Sequence, residues 1–120
     1  MDPLKRLETD RRLHLLLTGW EMLRTQHREL PAQAITVLLY VASHNPCHKQ
    51  AIEEDQGLTT ASCSRMIALL TDGPIRPGVK TRGLGLVKKY TDPANHRRFM
   101  VSLTPDGERI VHLFKTLLDG

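Results

Sequence analysis

The chain has 120 residues, 40% of them hydrophobic and 25% charged, with a formal net charge of +4, which suits one domain with a modest core and is too little for two. Two cysteines make no disulfide framework, no secretory pattern opens the chain and no apolar run reaches membrane-spanning length, so a disulfide scaffold and a membrane partner are excluded and a cytoplasmic protein is expected. The charge is unevenly placed: Arg76, Lys80, Arg82, Lys88, Lys89, Arg97 and Arg98 share one stretch whose single acid is Asp92, and such a stretch repels itself unless an anionic partner is near.

Asp2-Pro3 or Thr9-Asp10 supplies the start of a first helix, whose apolar stripe is Leu13, Leu16, Leu17, Trp20, Leu23 and His27. Leu15 and Met22 fall off that stripe. Apolar residues on more than one face exceed what a single domain covers, which makes a second chain a candidate cover. Pro31 is placed as the first residue of a second helix, Pro31 to His44, apolar nearly all round and hence central, ended by Asn45-Pro46. A short polar helix, about Lys49 to Gln56, closes at Gly57. Thr59 then caps a third pattern from Thr60 to about Thr71, with Cys63, Met66, Ile67 and Leu70 on its inner face. Two short helices joined by a Gly-containing turn form a helix-turn-helix, whose second helix can enter the DNA major groove.

A basic, Gly- and Pro-rich stretch follows from Gly73 to Gly83, and then two runs of period two: Leu84, Leu86 and Tyr90, and Phe99, Val101 and Leu103. With the loop from Thr91 to Arg97 between them they make a hairpin with one face on the core. Thr104-Pro105-Asp106 reads as N-cap, first-turn proline and first-turn acid of a last helix reaching Leu118. The fold class is mainly α with a small β-hairpin, a winged helix-turn-helix.

Duplex recognition needs short side chains that let a helix approach base edges, and cations aimed at phosphate. Thr60, Ala61, Ser62 and Ser64 are small, and Arg65 can grip a phosphate or a guanine edge with both arms of its guanidinium; an ordinary exposed helix start accounts for the small residues equally well, and the basic hairpin tips the balance to DNA. Arg97 is placed at the minor groove, because guanidinium suits its negative potential. Arg98 and His96 stand beside it and Lys88 and Lys89 on the phosphates. Alternation sends Arg97 and Arg98 to opposite sides of the strand, so one of them reads as an edge charge that discourages strand pairing. Arg76, Lys80 and Arg82 sit on a loop expected to gain order on DNA, or on an exposed connector that touches nothing.

His44, Cys47 and His48 are metal-compatible types, but their spacing fits no common zinc pattern and a turn with exposed histidines is the plainer reading. Cys63 falls on an apolar helical position and is expected to be buried, Cys47 to be exposed. No nucleophile, paired-carboxylate or phosphate-loop signature stands out, so neither a catalytic activity nor a cofactor is expected.

From about Leu30 to Leu113 the sequence resembles the winged-helix regulators of the multiple antibiotic resistance regulator (MarR) family. LTTASCSRMIALL (Leu58 to Leu70) resembles the recognition helix, and GLVKKYTDPANHRRFMVSLTPDG (Gly85 to Gly107) the wing, with its Gly-Leu-Val opening, Asp-Pro loop and closing Leu-Thr-x-x-Gly. The resemblance implies a homodimeric transcription regulator, joined through residues 1–29 and 105–120 around a DNA-binding unit at 30–104. It also carries a small-molecule effector, for which the residues give no support and the short last helix leaves less room. Two departures stand out: Asn95-His96-Arg97 replaces the family's Asp-x-Arg, removing the acid that orients the arginine, and Gly73 to Arg82 is an insertion before the wing. The alternative is a winged helix that serves protein interaction, or a replication or partition assembly, and docks an acidic partner.

Overall fold

The computed structural model describes residues 6–25, 30–73 and 82–119; the Asp2-Pro3 start, His27, Arg76 and Lys80 lie outside the described residues. The Thr9-Asp10 start is the one used. Helix α1 (Arg11–Arg24) is capped by Asp10, whose carboxylate accepts from the Leu13 amide at 3.1 Å. Helix α2 (Ala32–Ser43) begins one residue later than expected, with Pro31 as its cap. Its Ala34, Ile35, Val37, Leu38 and Val41 are buried at the centre of the core. Strand β1 (Cys47–His48) leads into α3 (Lys49–Gln56), which stops at Gly57 in the left-handed region, φ 64°. Helix α4 (Thr60–Leu70) follows, with the Thr59 hydroxyl accepting from the Ser62 amide at 3.0 Å. Its inner face is the expected one: Cys63, Met66, Ile67 and Leu70 are all buried.

Strands β2 (Val87–Asp92) and β3 (Asn95–Leu103) form the hairpin, and α5 (Pro105–Asp119) ends the fold. The sheet is three-stranded and antiparallel in the order β1-β3-β2, with Cys47 opposite Val101 and His48 opposite Met100. The added strand corrects the expectation for Cys47. Pairing with β3 turns that residue inward, it is buried, and burial is the chief cause that pushes its thiol up to about 11. Cys63 is buried as expected. A thiol held protonated by burial is a poor redox sensor.

Two further expectations change. The α1 stripe is only partly covered: Leu23 of the stripe is buried together with Gly19, whereas Leu13, Leu16, Leu17 and Trp20 are exposed. The cause is a close approach of α1 to α5, in which a Cβ on Gly19 would lie 2.8 Å from the Phe114 ring. The helix therefore packs through its smallest residue and leaves its larger ones outside. Between α1, α2 and α5 lies an apolar groove of about 330 Å³ lined by Leu23, Leu38, Ala42, Ile110 and Phe114 among others. The hairpin loop is also shorter than expected, because Asp92 pairs with Asn95 across Pro93-Ala94.

The hairpin is fastened at its base. The Leu84 and Leu86 amides donate to the Leu69 and Leu70 carbonyls at the end of α4, at 2.9 and 2.7 Å. The Gly83 amide donates to the Gly73 carbonyl at 2.9 Å, so the insertion leaves and rejoins the fold at one point. Thr104 donates its hydroxyl proton to the Gly85 carbonyl at 2.6 Å and accepts from the Gly107 amide at 3.0 Å. A single threonine thus caps α5 and ties it to the start of the wing.

Candidate nucleic-acid interface

The small residues of α4 lie on the side of the helix away from the core. Thr60, Ala61 and Arg65 are exposed, and Ser62 and Ser64 are half-buried. They face outward because the opposite side of the helix carries the buried apolar positions. The Arg65 guanidinium donates to the Ser62 hydroxyl at 3.2 Å, a contact with a neutral group that leaves its charge uncompensated.

The hairpin brings its basic tip to the start of this helix. Thr60 shares a groove of about 310 Å³ with Arg97, Arg98 and Phe99 of β3 and with Lys49, Gln50 and Glu53 of α3. Simple alternation does not hold at the arginines. The register jumps between Thr91, opposite Phe99, and Asp92, opposite Asn95, so the strand is irregular through His96, Arg97 and Arg98, and both arginines border one groove. Arg97 and Arg98 are exposed, as is His96. Among the described residues no carboxylate pairs with Arg65, Lys88, Lys89, Arg97 or Arg98.

Phe99 was expected to face the core and is instead 46% exposed. The strand runs beyond the body of the protein before its inner face reaches Val101 and Leu103, which are buried. The Lys89 ammonium sits 4.7 Å from the centre of the Phe99 ring, an attraction between cation and aromatic face. Lys88 and Lys89 do not act as a pair. Lys89 lies opposite Val101 and Lys88 opposite Ser102, so the pleat sends them to different faces, with Lys89 on the side of Val101 and Phe99.

Asp92 stands at the hairpin turn. Its carboxylate accepts from His48 Nε2 at 2.9 Å and from the Ala94 amide at 2.9 Å. The His48 hydrogen bond is the first cause holding this carboxyl below its ordinary range, with smaller help from Ala94 and the Arg98 charge. Asn95 meanwhile accepts from the Arg97 amide at 3.0 Å. An acid at the turn thus ties β2 to His48 of β1 and closes the hairpin loop, without taking the place of the acid missing beside Arg97. The metal-compatible set at His44, Cys47 and His48 is dispersed by the same arrangement, since Cys47 is in the core and His48 is on Asp92.

Arg82 differs from the other proposed contacts. Its guanidinium lies 3.5 Å from the Asp72 carboxylate and donates to the Asp72 carbonyl at 3.2 Å, so its charge is already met within the chain. Lys80 lies outside the described residues. The sequence reading missed Lys49, Gln50, Glu53 and Phe99 as groove residues. The spacing of Lys49 and Glu53, one helical turn apart, was the visible signal for the first and third.

No protein-family model matches the chain, and no curated protein matches it. Solved structures do. MepR of S. aureus, in a complex with DNA, is 18% identical with a TM-score of 0.67 over 89% of this chain and 78% of its own. The PcaV transcriptional regulator of Streptomyces coelicolor is 18% identical with a TM-score of 0.60, over 89% and 71%. A MarR transcriptional regulator of Methanosarcina mazei Go1 is 15% identical with a TM-score of 0.62, over 89% and 70%. The chain has the winged-helix fold of these structures, with five helices and a small antiparallel sheet among the described residues.

Proposed function

We propose that the chain binds double-stranded DNA as a homodimeric transcription regulator, with α4 in the major groove and the β2–β3 wing at the minor groove. One observation carries the reading: Arg97 and Arg98 border one groove with Thr60 and, among the described residues, form no ion pair with a carboxylate. A helix of small side chains beside uncompensated guanidinium groups matches the two needs of duplex recognition, access to base edges and attraction to phosphate. MepR, which shares the fold, was solved with DNA, and this supports carrying the reading to the present chain.

Arg65, Lys89, Arg97 and Arg98 supply the phosphate and groove contacts in this reading, with Arg97 in the minor groove. Arg82 has a lesser part, since Asp72 holds it. Dimerisation through α1 and α5 would set two recognition helices about 34 Å apart, on successive turns of one DNA face. The exposed apolar residues of those helices support that joint.

Selection of bound duplexes from a random pool, followed by titration of the selected duplex with salt, tests the proposal. The expected result is a pseudo-palindromic site bound with an affinity that falls steeply as salt rises, through counterion release. Absence of salt-sensitive binding would instead favour a winged helix that docks an acidic protein.

A further inference from the structure

Lys49 is 8% exposed, and it and Ser102 are the buried polar or charged residues among those described. Its ammonium forms an ion pair with Glu53 on the next turn of α3 and donates to the Thr60 carbonyl at 3.4 Å. Glu53 in turn accepts from the Thr60 hydroxyl at 3.0 Å. The carbonyl and the hydroxyl of the first residue of α4 are therefore held by one largely buried pair.

Burial pushes the Glu53 carboxyl up, and the hydrogen bonds from Lys49 and Thr60 outweigh it and leave the carboxyl below its ordinary range, so the pair's contribution to stability is the remainder of two opposed effects. A lysine in the first turn of a helix opposes the helix dipole, and removing two charges from water costs about as much as their attraction returns. Apolar side chains of similar size would fill the same space without that cost. What apolar contacts lack is direction. Two hydrogen bonds to one residue add a directional constraint to a rotation that the buried apolar face of α4 sets only coarsely, and that rotation would govern how Ala61, Ser62, Ser64 and Arg65 meet base edges. The same residue, Thr60, opens the groove that Arg97, Arg98 and Phe99 border.

We propose that Lys49 and Glu53 are positioning residues for sequence discrimination: their buried pair sets the angle at which α4 is presented to the major groove. The inference rests on the DNA-binding reading above. It predicts a loss of discrimination between sequences, with general attraction to DNA left in place, because the cations that meet phosphate are elsewhere.

The test compares the wild type with Lys49→Met/Glu53→Leu on two probes, the duplex selected by the wild type and a random duplex of equal length. The double variant removes one positive and one negative charge together and is expected to keep a thermal midpoint close to wild type, while its affinity for the selected duplex relative to the random one falls on the order of tenfold. A companion, Lys49→Met/Glu53→Gln, keeps a neutral acceptor for the Thr60 hydroxyl and is expected to recover most of that preference. A folded Lys49→Met/Glu53→Leu protein with undiminished preference overturns the proposal. So does a double variant that unfolds, which would make the pair a support of the fold. A wild type that prefers no duplex removes the DNA-binding reading and this one with it, whereas a wild type that discriminates equally with its double variant removes only the role of the pair.

Discussion

Arg97 and Asp92 are close neighbours in sequence and answer to different physics. Arg97 is exposed, borders the groove beside α4 and pairs with no carboxylate of the described chain. Its replacement should leave the fold alone and remove one phosphate or groove contact. Arg97→Ala is therefore expected to weaken DNA binding and to lower the slope of log affinity against log salt by about 1, with an unchanged thermal midpoint. An unchanged slope would place the side chain away from DNA. Asp92 is held by His48 and the Ala94 amide, and its carboxyl is lowered in the folded state, first by the His48 hydrogen bond. A lowered carboxyl stabilises the fold above its unfolded value of about 3.9 and loses that contribution as pH falls through the folded value. Thermal midpoints of the wild type and Asp92→Asn should differ at neutral pH and converge below about pH 4. A constant difference down to acid pH would mean that the carboxylate's charge contributes nothing.

The elements whose signals are local were legible in the sequence, and those that depend on a distant neighbour were not. Thr59, Gly57, Thr104 and Pro105 act within a turn of where they stand, and each caps or ends the helix it was expected to. Strand β1 is only two residues long and exists through pairing with Val101 and Met100, contacts no local pattern announces, and the expected exposure of Cys47 failed with it. The phase of α1 is set by Gly19 against Phe114 on α5, a contact that the apolar stripe does not announce. In the site, the small residues of α4 were readable, while Phe99 and the groove residues of α3 required knowing how far the hairpin projects. The Leu-Thr-x-x-Gly segment was recognised by resemblance, and its physical basis is in the packing. A Cβ on Gly107 would lie 2.0 Å from the Leu86 carbonyl oxygen, a backbone atom that cannot step aside. Gly107→Ala is expected to lift the first turn of α5 from the wing base, costing roughly 2 kcal/mol and lowering the thermal midpoint by on the order of 10 °C. Gly57→Asn makes the control, since that glycine has positive φ but open space around it and asparagine tolerates the left-handed region. Equal losses in the two variants would show that space at Gly107 is not what matters.

At the scale of the whole molecule, the outward faces of α1 and α5 decide whether the protein works alone. Leu13 is 64% exposed, Leu17 53% and Trp20 39% on α1, and Leu113 is 50% and Leu118 62% exposed on α5. Scattered exposed leucines are ordinary, but several on two helices already packed against each other form a patch that water covers at a cost. Charges placed in it should not disturb the core, because Gly19 and Leu23 make the buried contacts of α1. On the proposed homodimer reading, Leu17→Glu/Trp20→Glu is thus expected to be folded and to sediment as a monomer at concentrations where the wild type sediments as a dimer. Trp20 is the one tryptophan of the chain, so wild-type fluorescence should shift to the blue as rising concentration buries it. On the proposed DNA-binding reading, a monomer would contact one half-site and give up the gain of the second, which for tethered modules reaches about 10²-fold or more. The double variant should lose affinity for the full selected site and bind an isolated half-site as the wild-type monomer does. A wild type that stays monomeric at every concentration and occupies its selected duplex one to one would show that this apolar face serves something other than a second copy.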